Sequence, residues 1–465
     1  MSNSEIGALV LTLSVLVGAV HTLGYLFERL RQPRLVGEIL AGALLGPFVL
    51  GRLLPSLSLK LFGSATGSVN KIEIVLTFIY WIGLFLLMFL SGSETRRLMA
   101  KETQRETAWL FGVGTTLPFC IVLTLGLGSF LPLESISGAA GQQIPALLVL
   151  AVAVAVTSIP VISRIFFDLK IIHTRFASLI LGFAVLEDVV LWGVLAVATG
   201  IASPADAGHG ALLQRISIHI FATFVYMGLG LTVAPRIVKQ LHNTRWNILI
   251  KASPVGYLFF VLFIYTAIAA AMDVNLVFAA FLAGFCLVGG MSGTERSRFS
   301  QQLESISKVA TGIFIPIYFA IVGYKLVLGR EFSFTMLVVF HVTSSIIVLV
   351  SFSIAARLAG FRGLDVVNRA ITRNARGGPG IVLASVAYDA GIINAAFYTT
   401  LVLTAVLTSQ AAGVWLRFIL SRGLPLLSAH PTETWSVGST PRAGVTPPLP
   451  LATGVPGASP RGNLS

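Results

Sequence analysis

Long apolar runs separated by short clusters of arginine and lysine set the rhythm of this chain. A helix needs about 20 largely apolar residues to cross the hydrocarbon core of a bilayer. Segments that meet or approach that length lie at 6–27, 35–54, 74–93, 108–131, 145–167, 174–201, 216–238, 255–272, 275–291, 309–328, 334–358, 377–390 and 395–420. The segment at 377–390 is short and glycine-rich. The pattern predicts an all-α integral membrane protein with about 13 transmembrane helices.

The basic residues test that map. Arg29, Arg31 and Arg34 follow the first segment, and Arg96, Arg97, Lys101 and Arg105 the third. Lys170 and Arg175 follow the fifth, Arg236, Lys239, Arg245 and Lys251 the seventh, and Arg296 and Arg298 the ninth. Arg362, Arg369, Arg373 and Arg376 follow the eleventh. The alternate loops hold only Arg52, Lys60, Lys71, Arg215, Lys325 and Arg330 of the 32 Lys and Arg. Positive residues stay on the cytoplasmic side. This predicts an N-terminus outside, a C-terminus in the cytoplasm and an odd number of spans, with the plasma membrane as the expected location.

Composition agrees. Hydrophobic residues make up 55% of the 465 and charged ones 11%, where a soluble protein carries about 25%. The formal charge of +13 is spread over one set of loops, so it signals topology and not a nucleic-acid partner. Cys120 and Cys286 lie in apolar runs and form neither a disulfide framework nor a zinc spacing. Residues 1–422 read as one transmembrane domain. Residues 423–465 are rich in Pro, Gly, Ser and Thr and read as a disordered cytoplasmic tail, with no pattern for a nucleotide-binding domain.

The polar residues inside the apolar runs carry the candidate chemistry. Glu187 and Asp188 sit mid-way along 174–201, where an ionised acid is costly and marks function. The segment 145–167 contains Thr157, Ser158 and Pro160. Pro160 lacks an N–H, so a break there frees carbonyls beside two hydroxyls. The segment at 377–390 begins Arg376-Gly377-Gly378-Pro379-Gly380, which predicts a second break. If segments one to six and eight to thirteen are two repeats joined by the seventh, both breaks fall at the fifth element of each. Paired interruptions of this kind mark inverted repeats and the site of a transporter. The second elements also match, with small residues at 42–47 and 279–284.

Five motifs bring in a family. Gln32-Pro33-Arg34-Leu35-Val36-Gly37-Glu38 continues to Leu45-Gly46-Pro47. Ile82-Gly83-Leu84 precedes Phe89-Leu90-Ser91-Gly92. Thr157-Ser158-Ile159-Pro160-Val161 is followed by Arg164, then come the pair Glu187-Asp188 and Pro316-Ile317-Tyr318-Phe319 with Arg376-Gly377. In this order, over about residues 30 to 420, the chain resembles the monovalent cation:proton antiporters that include Kef-type, Nap-type and plant cation/proton exchangers. That resemblance implies a sodium/proton antiporter-like fold with broken crossing helices.

It also implies exchange of Na+ or K+ for protons at Asp188, the monovalent cation site, with Glu187, Thr157 and Ser158 as further ligands. Pro160, Arg376 and Gly377 would support the breaks. Relatives with an acid at the first position and a basic residue on a late helix are electrogenic, and Arg357 is the nearest candidate for that basic partner. A homodimer is usual among relatives. No cofactor is expected, and no H-E-x-x-H or G-x-S-x-G motif points to an enzyme. The alternatives are a Kef-like cation channel or efflux protein and a non-transporting sensor on the same fold.

Overall fold

The structure, a computed structural model, describes residues 2–30, 32–62, 71–98, 104–171, 174–202, 209–244, 247–289, 293–329 and 332–427. Arg31, Lys101, Arg245, Arg330 and the part of the expected tail at 428–465 lie outside the described residues.

The first helix, α1 (Asn3–Arg29), starts on a capping box. Ser2 Oγ accepts from the Glu5 N–H at 3.3 Å, and Glu5 Oε2 accepts from the Ser2 N–H at 2.7 Å. This satisfies donors that a first helical turn leaves free. Next come α2 (Arg34–Leu45) and α3 (Lys71–Leu98). The fourth expected span is two helices, α4 (Gln104–Gly114) and α5 (Thr116–Leu127), that meet at Thr115. The fifth is α6 (Gln143–Ala155) and α7 (Ile159–Asp168), and the sixth is the unbroken α8 (Arg175–Ala202).

The seventh is α9 (His209–Thr232) and α10 (Ala234–Asn243), bent by 43° around Val233. The second half follows with α11 (Pro254–Ala271), α12 (Leu276–Gly289) and α13 (Gly293–Val309). A π turn over Ala310–Phe314 leads into α14 (Ile315–Tyr324), and then α15 (Phe334–Leu358). The chain ends on α16 (Leu364–Arg373), α17 (Gly377–Asp389) and α18 (Ala395–Ser421).

Among the described residues ten helical stretches are long and apolar enough to cross a membrane, and eleven if the bent α9–α10 pair is one span. The other two expected spans fall on α12 and α17, described over 14 and 13 residues. Residues 364–373, expected as loop, form α16. Its polar face is buried and carries Asp365, Asn368, Arg369, Thr372 and Arg373.

Two helix pairs form the most intimate crossings. Gly42 on α2 lies against Ala320 on α14, and Gly323 on α14 against Ile39 on α2. Gly92 on α3 lies against Phe281 on α12, and Gly284 on α12 against Phe89 on α3. A Cβ on any of the four would fall 1.7 to 2.0 Å from a backbone oxygen, so only glycine lets these backbones touch. The second element of one repeat thus pairs with the third of the other, and the reverse. That reciprocity is what an internal duplication produces.

Of the ten long apolar stretches the broken α6–α7 span is the most enclosed and α1 the least. It runs through the centre of the protein, where α5, α8, α15, α17 and α18 pack against it.

Candidate functional site

Two interruptions cross at the centre. After Ala155 the chain extends through Val156, Thr157 and Ser158 before α7 begins. Pro160 stands in the first turn of α7, where its missing N–H costs nothing. The break therefore lies just before Pro160, and the proline starts the second half-helix. Between α16 and α17 the chain unwinds at Asn374, Ala375 and Arg376.

The freed backbone groups satisfy one another across the crossing. The Ser158 N–H donates to the Ala375 carbonyl at 2.8 Å, and the Thr157 hydroxyl to the Arg373 carbonyl at 3.1 Å. Gly377 has φ +39°, and a Cβ there would sit 2.5 Å from Val161 Cγ2 and 2.6 Å from Ser158 Oγ. Glycine is required at that point both for its backbone angle and for the closeness of the other break. Ser158 Oγ also accepts from the Val161 N–H at 3.3 Å, which caps α7. The Gly377 N–H donates to Ser409 Oγ on α18 at 3.0 Å.

Beside this crossing α8 presents its two acids, 0% and 1% exposed. Consecutive helical residues point about 100° apart, so the carboxyls meet different surroundings. Glu187 Oε2 accepts from the Thr115 hydroxyl at 3.0 Å and lies 3.3 Å from Arg373 Nη2. The same guanidinium nitrogen donates to the Ala155 carbonyl at 2.7 Å, at the open C-terminal end of α6. Arg373 is itself fully buried, with Phe352 under its guanidinium. It therefore neutralises an acid and fills a helix end at once. Thr157 lies alongside the Glu187 carboxyl. Asp188 differs from its neighbour: neither of its carboxylate oxygens has a hydrogen-bond partner.

Of the residues singled out in the sequence, the fold gathers Glu187, Thr157, Ser158, Pro160 and Gly377 at the crossing, with Asp188 next along α8. Arg376 borders the second break. It is buried, its side-chain nitrogens make no hydrogen bond, and its guanidinium lies over the Phe340 ring at 5.6 Å. Arg357 does not join them. It is exposed near the end of α15, where it lines a shallow surface groove with Leu349, Val350, Ser353 and Ile354. The basic partner of Glu187 is Arg373, which the sequence placed in a cytoplasmic loop.

Thr115 was also missed, because 108–131 reads as one continuous apolar run. A signal for Arg373 did exist. Arg369, Arg373 and Arg376 recur at helical spacing directly before a Gly-Gly-Pro break. Among the described residues there is no cluster of three or more His, Cys, Asp or Glu suited to a metal ion.

Comparison with known proteins fits this geometry. Residues 13–422 match the family described as "Sodium/hydrogen exchanger, transmembrane". The chain is 26% identical over 410 residues to Cation/H(+) antiporter 17 of Arabidopsis thaliana, covering 86% of this chain and 47% of that protein. It is 24% identical over 425 residues to the Na(+)/H(+) antiporter NhaS4 of Synechocystis sp., covering 88% and 96%. The chain thus spans about half the length of the plant relatives it matches and nearly all of the cyanobacterial one. Its fold is like that of the sodium proton antiporter MjNhaP1 from Methanocaldococcus jannaschii, with a TM-score of 0.61 at 14% identity over 90% of this chain and 99% of that one. With nearly all of its membrane part matched, the chain belongs to the transmembrane sodium/hydrogen exchanger family, a family of transporters and not of enzymes.

Proposed function

We propose that the chain exchanges a monovalent cation, Na+ or K+, for protons, and that the two compete for the Asp188 carboxylate. The observation that carries this reading is the contrast within the acid pair. Glu187 is held by Thr115 and Arg373, whereas Asp188 is buried with both oxygens free of hydrogen bonds. A bare buried carboxylate is costly. Binding a proton or binding a cation each removes the charge, so loading one releases the other. Thr157 and Ser158 stand at the crossing beside α8, and theirs are the hydroxyl oxygens proposed to help hold the ion.

Arg373 already balances Glu187, so one group cycles. The reading is therefore one proton for each cation with no net charge moved, against the electrogenic exchange that an acid with a basic partner on a late helix implies among the relatives. Alternating access comes from motion of the broken helices together with α8 and α18 against the glycine-sealed pairs. The names of the relatives support the substrate class, and the charge asymmetry of the loops supports a cytoplasmic C-terminus; the membrane proposed is the plasma membrane. The oligomer proposed is a homodimer, and residues 1–422 form the transport domain.

The test is proton flux in everted vesicles with a preset pH gradient, with Na+, K+ or Li+ added in turn. A cation should collapse the gradient in the wild type, and Asp188→Asn should abolish this. Clamping the membrane potential at zero should leave the rate unchanged. Wild-type flux in Asp188→Asn would end the proposal for that residue. Current without counter-moving protons would favour a channel.

A further inference from the structure

A second charged cluster joins the two parts of the molecule away from the crossing, at the helix ends poor in basic residues. Asp389 is the last residue of α17. Its Oδ1 is 2.5 Å from Lys325 Nζ, and its Oδ2 accepts from the Tyr80 hydroxyl at 2.6 Å. Lys325 Nζ also lies 4.3 Å from the centre of the Tyr80 ring. Tyr80 is on α3 and Lys325 caps α14, both members of the glycine-sealed pairs. Asp389 belongs to the half-helix that starts at the break. The contact therefore spans the boundary along which the two parts would move.

The placement of Asp389 is not one that packing would choose. An acid at a helix C-terminus opposes the helix dipole, whereas the lysine at the end of α14 is favoured by it. Lys325 and Tyr80 offset the cost at α17. Beneath them lies a layer of tyrosines from both parts. The Tyr318 hydroxyl donates to Ser385 Oγ at 3.4 Å, and the Tyr398 hydroxyl to the Val322 carbonyl at 2.8 Å. The Tyr80 and Tyr318 rings are 5.1 Å apart, and Tyr388 stacks on Tyr398 at 4.9 Å.

The basic-rich side offers a looser contact between the same two parts. There Arg164 on α7 meets Glu28 on α1 at 2.9 Å, with side chains 47% and 32% exposed against 27% and 22% for Lys325 and Asp389. Exposed pairs are screened and hold less firmly.

We propose that Lys325, Tyr80 and Asp389 form a latch that shuts the basic-poor face, and that the path to the crossing opens there only when Asp389 leaves Lys325. Its purpose rests on the exchange reading above, but its test does not. Ser385 is fully buried under the latch, and Ser385→Cys places a small thiol there. In full-length protein with Cys120→Ala and Cys286→Ala, a membrane-impermeant maleimide is applied to either face of the vesicles.

With the latch intact, labelling from the basic-poor face is slow. Lys325→Gln should speed it about tenfold from that face alone, the size of a typical conformational coupling. Tyr80→Phe, a change that keeps the ring and its packing, should speed it less. Lys325→Asp combined with Asp389→Lys should restore the slow rate. Unchanged labelling in both folded single variants, or equal acceleration from the two faces, overturns the latch. Proton flux on the same vesicles is scored separately. Latch-dependent labelling without cation-driven flux would overturn the exchange reading and leave the latch standing.

Discussion

The glycine crossings and the broken-helix crossing both bring backbones together, by opposite means. At α2–α14 and α3–α12 the helices stay intact, and side chains are removed so that carbonyls meet Cα atoms. Among the described residues no backbone N–H···O=C bond passes between the helices of either pair, so the contact is chemically silent. At the other crossing the helices are cut, and the released amides and carbonyls are satisfied by the opposite break and by Arg373. That contact is polar and holds ionisable groups. Within a bilayer, a framework is made by deleting side chains and a site by deleting helix hydrogen bonds.

Four substitutions test this contrast. The largest effect is expected at Arg373. Arg373→Leu leaves Glu187 buried and uncompensated, which should destabilise the protein by about 3–5 kcal/mol in thermal unfolding of the detergent-solubilised form. Glu187→Leu in the same chain should recover most of that loss. Retained stability in Arg373→Leu alone would mean that the pair does not organise the crossing.

Gly92→Val comes next. Its first side-chain carbon would sit 2.0 Å from the Phe281 carbonyl oxygen. Overpacking should cost about 2–3 kcal/mol and lower the yield of monodisperse protein. Gly377→Ala should cost about 1–2 kcal/mol, since it combines an unfavourable φ with a clash at Ser158. Its proton flux should fall further than its stability, whereas Gly92→Val should lower both together. Thr115→Val is the mildest change. It removes one neutral hydroxyl from Glu187 and should cost about 1 kcal/mol, with flux largely kept.

Much of this was legible in the chain. The acid pair stood out because an apolar run of that length has no other use for two carboxylates. Both breaks were announced by Ser-Ile-Pro and Gly-Gly-Pro. What the residues could not tell was which way each acid faces. That depends on how α8 is rotated among its neighbours, and the two carboxyls differ by about 100° in direction. Arg357 was the nearest basic residue on the late helix that the resemblance asks for, and it is exposed near the end of α15, whereas Arg373, which meets Glu187, was counted among loop residues. Residues 364–373 are polar enough to read as loop, yet they form a helix with its polar face inward. Thr115 escaped because a single interrupted turn leaves no mark on hydropathy. The reciprocal glycines were visible only as small residues, since closeness of backbones is a property of pairs of helices.

The tether between Glu187 and Arg373 also bears on how the chain is made. The two residues are 186 positions apart. At a synthesis rate of roughly 5–20 residues per second, the acid waits for roughly 10–40 s before its arginine exists. Throughout that interval Glu187 has no basic partner, since Arg175 on α8 itself lies about three turns away, and a bare carboxylate in lipid costs several kcal/mol. The nascent helix must enter the bilayer carrying protons on both Glu187 and Asp188 or stay beside the wet insertion channel. Ribosome-stalled chains that stop before residue 373 should therefore hold α8 at the channel, and chains that extend past it should release the helix into lipid.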